Sequence, residues 1–197
     1  MISGKAVYHI LIVSGTQKGA SFITEMLDSS MYCTHETVSN GSEARRHIME
    51  NDYDIVIINT PLGDEFGHEL AAAVAEKGTG GVILIVKNEL YEELSMRLED
   101  CGIMTMAKPL SKQLFYQGLK LVIAGSNRCR QLEAENRRLQ QKLKELMTVS
   151  RAKCALIEFA HMTEEQAHKY IEKQAMDSRS TRLEVAGEIL RTYTDVM

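Results

Sequence analysis

The chain has 197 residues, 44% of them hydrophobic and 25% charged, with a formal net charge of −4. That length buries one ordinary core with a tail, or two small domains, and the balance is that of a soluble globular protein. Two prolines and no Gly/Ser/Pro tract argue against long disordered stretches, and apolar runs too short to cross a bilayer point to a cytoplasmic protein with no membrane partner.

Four scattered cysteines (Cys33, Cys101, Cys129 and Cys154) form no C-x-x-C pair, so reduced thiols are expected, with no metal and no cofactor. The charge is unevenly spread: residues 1–124 sum to −6 and residues 125–197 to +2. An acidic front and a mildly basic back are compatible with a nucleic-acid partner at the carboxyl end.

In chain order, "YHILIV" (8–13) is a continuous apolar run that reads as a buried strand, followed by a helix over 17–28. "CTHETV" (33–38) is a weaker strand, and 41–51 a helix with Ala44 and Ile48 at i,i+4. "DIVIIN" (54–59), a helix over 66–77, "GVILIV" (81–86) and "IMTMA" (103–107) follow. A helix over 111–124 carries Leu114, Phe115, Gly118, Leu119 and Val122 on one face. Short buried strands alternating with helices predict an α/β domain over 1–124: a flavodoxin-like, doubly wound, parallel five-stranded sheet.

Beyond residue 124 the period changes. Cys129, Asn136 and Leu143 recur every seven residues, as do Leu132, Leu139 and Leu146. At a and d positions these give a coiled-coil seam within a linker helix over 125–150, the alternative being an amphipathic helix lying on its own domain. Asn136 at an a position favours the coil, because a buried amide there selects a two-stranded state. A parallel homodimer through Leu132, Asn136, Leu139, Leu143 and Leu146 is therefore expected.

Residues 146–197 read as a small three-helix bundle. Thr163 with Gln166 three residues on is a capping box, and Ala167, Tyr170, Ile171 and Ala175 line one face behind it. Asp177, Ser178 or Ser180 caps the last helix, which turns Leu183, Ala186, Ile189 and Leu190 inward.

Two resemblances follow from these residues. "DIVIINTPLGDEFG" with Pro61 and Gly67, and Lys108-Pro109 after the fifth strand, resemble the receiver domains of two-component response regulators across 6–124. The chemistry of that family needs a carboxylate acceptor and a divalent cation held by acidic residues at the end of the first strand. Here Asn59 stands at the acceptor position, Ser14 and Gly15 at the acidic pair, and Val86, followed by Lys87, at the hydroxyl switch. Lys108 alone matches, and its plainer reading is a salt bridge or a solvated side chain beside a structural proline. The resemblance implies a pseudo-receiver: a receiver fold without receiver phosphorylation, free to bind a regulatory protein or to dimerise through its later helices.

Ala152-Lys153, Leu156, Thr163-Glu164-Glu165, Ala167, Ala175-Met176 and Val185-Ala186 resemble the ANTAR family over about 145–193, with a spacing that holds through two inter-helix turns. Cys154 and Ile157 depart from the usual glycine and methionine, and Arg182-Leu183 inverts the typical order. ANTAR domains are the RNA-binding output domains of bacterial antitermination regulators. The resemblance therefore implies a non-enzymatic protein that binds paired hairpins in leader transcripts, so that an antiterminator forms.

Loop bases are open to hydrogen bonding and stacking, whereas duplex RNA hides its sequence in a narrow groove. Lys153, Lys169, Arg179 and Arg182 could supply phosphate contacts and guanidinium stacking, and Thr163 a hydroxyl at a helix start. Lys153 and Arg179 coincide with family positions. Lys169 reads more plainly as a solvated helix residue, Thr163 as a cap, and His161 as a surface histidine that could stack on a base. The alternatives are a DNA-binding atypical response regulator and a small flavodoxin-like enzyme. For the latter, "SGTQKG" is the only phosphate-loop candidate, and a weak one.

Overall fold

The computed structural model describes residues 7–28, 33–78 and 80–194. Strands β1 (Tyr8–Ser14), β2 (Cys33–Val38), β3 (Ile55–Asn59), β4 (Gly81–Lys87) and β5 (Ile103–Lys108) form one sheet in the order β2-β1-β3-β4-β5. Every neighbouring pair is parallel, with Ser14 beside Asn59 and Lys87 beside Lys108 at the carboxyl ends. Helices α1 (Gln17–Asp28), α2 (Gly41–Glu50), α3 (His68–Glu76) and α4 (Tyr91–Leu98) alternate with the strands. This is the doubly wound sheet expected from the sequence.

The strand residues split by parity into two cores, because successive side chains leave a strand on opposite faces. Leu11, Val13, Val56, Ile58, Leu84 and Val86 pack with residues of α2, α3 and α4. Ile10, Ile12, Ile57 and Ile85 pack with Ile23 and Leu27 of α1 and with Phe115 and Leu119. Burying such a side chain contributes about 1.5–3 kcal/mol, which is why unbroken apolar runs end as central strands. Helix α4, set between two short 3-10 turns, was not marked by the sequence: of its eight residues only Leu94 and Leu98 are buried.

The three helical segments expected over 111–160 are one helix, α5 (Lys112–Ala160). Its first turns lie close on the sheet where side chains are missing. A Cβ at Gly118 would stand 2.0 Å from Met106 Cε, and one at Gly81 would stand 2.1 Å from Val122 Cγ1. Among the described residues no helix is long and apolar enough to cross a membrane.

The chain divides into two compact units, one ending at Arg130 and the other beginning at Gln131. Arg130 belongs to the first, where its guanidinium lies 2.6 Å from Asp54. The second unit contains the end of α5, α6 (Glu164–Ser178) and α7 (Arg182–Thr194). Ala152 and Leu156 of α5 meet Ala167, Ile171 and Ala175 of α6 and Val185, Ala186 and Ile189 of α7 in its core. Three expectations change here. Leu183 is only partly buried and lies outside this core, to which α7 contributes Val185 as well as Ala186 and Ile189. Tyr170 is 39% exposed rather than inward. The cap of α7 is Thr181, not Asp177, Ser178 or Ser180: its hydroxyl accepts the Glu184 N–H, and its own N–H donates to the Glu184 carboxylate at 2.7 Å. This second Thr-x-x-Glu capping box satisfies two orphan helix donors, so it outcompetes a lone serine.

The loop after β3 is tied to α2. The Asp64 carboxylate accepts the Gly41 and Ser42 N–H groups at 2.8 and 3.0 Å and the Ser42 hydroxyl at 2.9 Å. The Arg45 guanidinium binds both oxygens of Glu65. The two backbone N–H donors, Gly41 foremost, pull the Asp64 carboxyl down from 3.8 to about 2. A folded value below the unfolded one gives stability that is complete above about pH 4 and lost as pH falls toward 2. Thermal melts at stepped pH should show Asp64→Asn less stable than wild type at pH 6, with the difference shrinking between pH 4 and 2.

Candidate functional site

The strand ends bring Ser14, Asn59 and Lys108 together, and each finds a partner within the fold. The Asn59 Nδ2 donates to Ser14 Oγ at 3.0 Å, and Ser14 donates onward to the Thr16 carbonyl at 3.1 Å. Lys108 Nζ donates to the Thr60 backbone carbonyl at 2.5 Å, so this lysine is neither salt-bridged, among the described residues, nor merely solvated. Burial, and secondarily Lys87, holds its pKa below the ordinary lysine value.

This donor set does not fit the divalent cation of a phosphorylating receiver. It offers a hydroxyl and an amide where hard cations take carboxylates. A Cβ at Gly15 would lie 3.0 Å from the Pro61 carbonyl oxygen and 3.2 Å from Gly63 N, so the loop crowds any side chain there. The nearby carboxylate of Asp64 is committed to α2. Val86, at the switch position, is completely buried and has no hydroxyl to offer.

In the second unit the basic residues fall into separate zones. Lys153 on α5 reaches Glu164 in the first turn of α6 at 3.0 Å, bringing it beside Thr163. Lys169 pairs with Glu165 at 2.7 Å, with both side chains well exposed. Thr163 is closed as a cap: its hydroxyl accepts the Gln166 N–H and its N–H donates to the Gln166 side chain. Arg182 lies 3.7 Å from Glu172, which His168 also approaches.

Arg179 stands at the opposite end of α6 from Thr163, roughly 22 Å away at 1.5 Å per residue over the 15 residues between. It is exposed, without a salt bridge among the described residues, and left-handed at φ 53°, ψ 34°. His161, in the other turn, also has φ 53° and is exposed. Phe159 and Tyr193 stack with centroids 5.4 Å apart, a pair that helical periodicity does not reveal because the rings come from different helices. Leu132, Leu139, Leu143 and Leu146 are all more than half exposed along α5.

The parallel sheet with Lys108-Pro109 after its last strand defines the first unit as receiver-like. It is similar to the signal receiver domain of an HD domain-containing protein from Pseudomonas fluorescens Pf-5: TM-score 0.56, 18% identity, covering 66% of this chain and 96% of that one. The chemotaxis response regulator CheY4 of Vibrio cholerae is also similar: TM-score 0.52, 18% identity, covering 59% of this chain and 99% of that one. Residues 137–190 match the sequence model of the ANTAR domain. The chain thus carries an ANTAR domain behind an amino-terminal domain of receiver-like fold. It is 28% identical over 172 residues to the transcriptional regulatory protein PdtaR of Mycobacterium tuberculosis, covering 86% of this chain and 83% of that protein.

Restoring the acceptor alone should not restore phosphorylation. Asn59→Asp incubated with acetyl phosphate and magnesium is expected to show no phosphoryl adduct by intact-protein mass, because Ser14 and Gly15 still supply no carboxylate.

Proposed function

We propose that the protein is an RNA-binding transcription antitermination regulator. As a parallel homodimer it holds paired hairpins of a leader transcript and prevents the terminator from forming, and its receiver-like domain takes its input without phosphorylation. The observation that carries this reading is the ANTAR match over 137–190, which coincides with a packed helical unit presenting Lys153 and Arg179 at its surface. The relative PdtaR, described as a transcriptional regulatory protein, supports the same class.

The intramolecular ion pairs do not stand in the way of RNA. In the Lys153–Glu164 pair the lysine is partly covered but the carboxylate is well exposed; surface pairs are worth about 0–1 kcal/mol, so a phosphate displaces the carboxylate at little cost. Two contact zones at opposite ends of α6 suit a folded hairpin better than a short single strand. Lys153 provides phosphate attraction near one turn, and Arg179 projects from the other toward a loop base. The DNA-binding alternative is weaker, since α7 spends Val185, Ala186 and Ile189 on the core instead of a groove.

Dimerisation rests on the leucine stripe. Four leucines at heptad spacing are exposed in the single chain, an arrangement that a second copy in register would cover. Asn136, exposed between them, would then set the two-stranded state. Two ANTAR units per dimer make the second hairpin of a pair bind at high effective concentration.

Fluorescence titration of a two-hairpin RNA at several salt concentrations checks the sites. Lys153→Ala should flatten the salt slope by roughly one unit. Arg179→Ala should cost about 1–3 kcal/mol and blur loop preference, while Lys169→Ala should change little. Tight, sequence-specific binding to duplex DNA with none to RNA would overturn the function. Light scattering on Leu139→Lys should give monomers, and a dimer of undiminished tightness would move the interface away from α5.

A further inference from the structure

Beside the strand-end site lies a cavity of about 440 Å³, within the size range of small-molecule sites. Its walls are Phe22 and Ile23 of α1, Ile85 of β4 and Leu110 after β5, and its polar groups include Lys18 and Lys108. No carboxylate lines it among the described residues. Asn59 also borders it and keeps one amide N–H after its bond to Ser14. Lys108 retains two N–H donors beyond the one given to Thr60.

A half-buried ammonium with no counter-charge is costly, and an anion seated there offsets that cost. The apolar wall excludes a bare, fully hydrated anion as the best fit. It matches a ligand that carries a hydrocarbon or aromatic body behind its charged end. We propose that this cavity is a binding site for a small amphipathic anion, its acidic group on Lys108 and Asn59 and its apolar body against Phe22, Ile23 and Leu110. Such a ligand touches Pro109 and Leu110, which lead directly into α5. The proposal stands apart from RNA recognition and is tested without it.

The test titrates the full-length protein with 8-anilinonaphthalene-1-sulfonate, an aromatic monoanion, read by fluorescence and by equilibrium dialysis for stoichiometry. The expected result is one saturable site per chain, weakened at least tenfold in Lys108→Met and in Leu110→Trp, which fills the cavity. The neutral N-phenyl-1-naphthylamine should bind at least tenfold more weakly than the sulfonate. Thermal unfolding shows which variants are folded. If Leu110→Trp is not, Lys108→Met decides alone. Absence of a saturable site, binding undiminished in the folded variants, or displacement of the dye by inorganic phosphate as effectively as by decanoate would each overturn the proposal.

Discussion

Phe115 and Leu119 are buried against the sheet, Ala152 and Leu156 are buried among α6 and α7, and all four belong to α5. The helix between them is nearly all exposed, including its leucines. An exposed helix has little but its own propensity to hold it, and isolated helices are marginal in water. Its order therefore depends on anchorage in two cores, strengthened by any surface that covers the leucine stripe. Gly81 and Gly118 suit the first anchorage: a methyl group at Gly81 would collide with the stiff side chain of Val122 on the helix, and one at Gly118 would displace the flexible tip of Met106.

The strand-end site sets a different group of donors and acceptors on a receiver-like architecture. Carboxylates gathered around a metal repel one another until the cation arrives. Here an amide, a hydroxyl and two backbone carbonyls replace them, and the side chains satisfy each other by hydrogen bonds. What the site keeps is the Lys108 ammonium, bonded to the Thr60 carbonyl beside a cavity that no carboxylate lines among the described residues. Beside these residues lies a concave, largely apolar surface that carries two lysines.

Much of this was legible in the sequence, for identifiable reasons. Three of the five strands were continuous apolar runs bounded by turn residues, so a parallel sheet followed from their length and their alternation with helices. The capping box at Thr163 was legible because its partner is three residues away. Helix α4 was not, because two buried leucines in eight residues carry no usable period. Tyr170 fell on the right face by spacing but stays exposed at the margin of a narrow core made largely of alanines and branched residues. Thr181 was hidden by several equally plausible caps just before it. The cavity could not be read at all: Phe22, Ile85 and Leu110 are distant in sequence and meet only through the fold.

Arg179 ends α6 in a left-handed conformation, a place where glycine is the usual occupant. A side chain there costs roughly 1–2 kcal/mol that glycine would not. A helix selected for folding alone would give the position up to glycine and gain stability. On the function proposed here, that gain would remove the guanidinium that meets the RNA. The turn is thus a point of conflict between two selective demands, where the more robust protein is the poorer regulator.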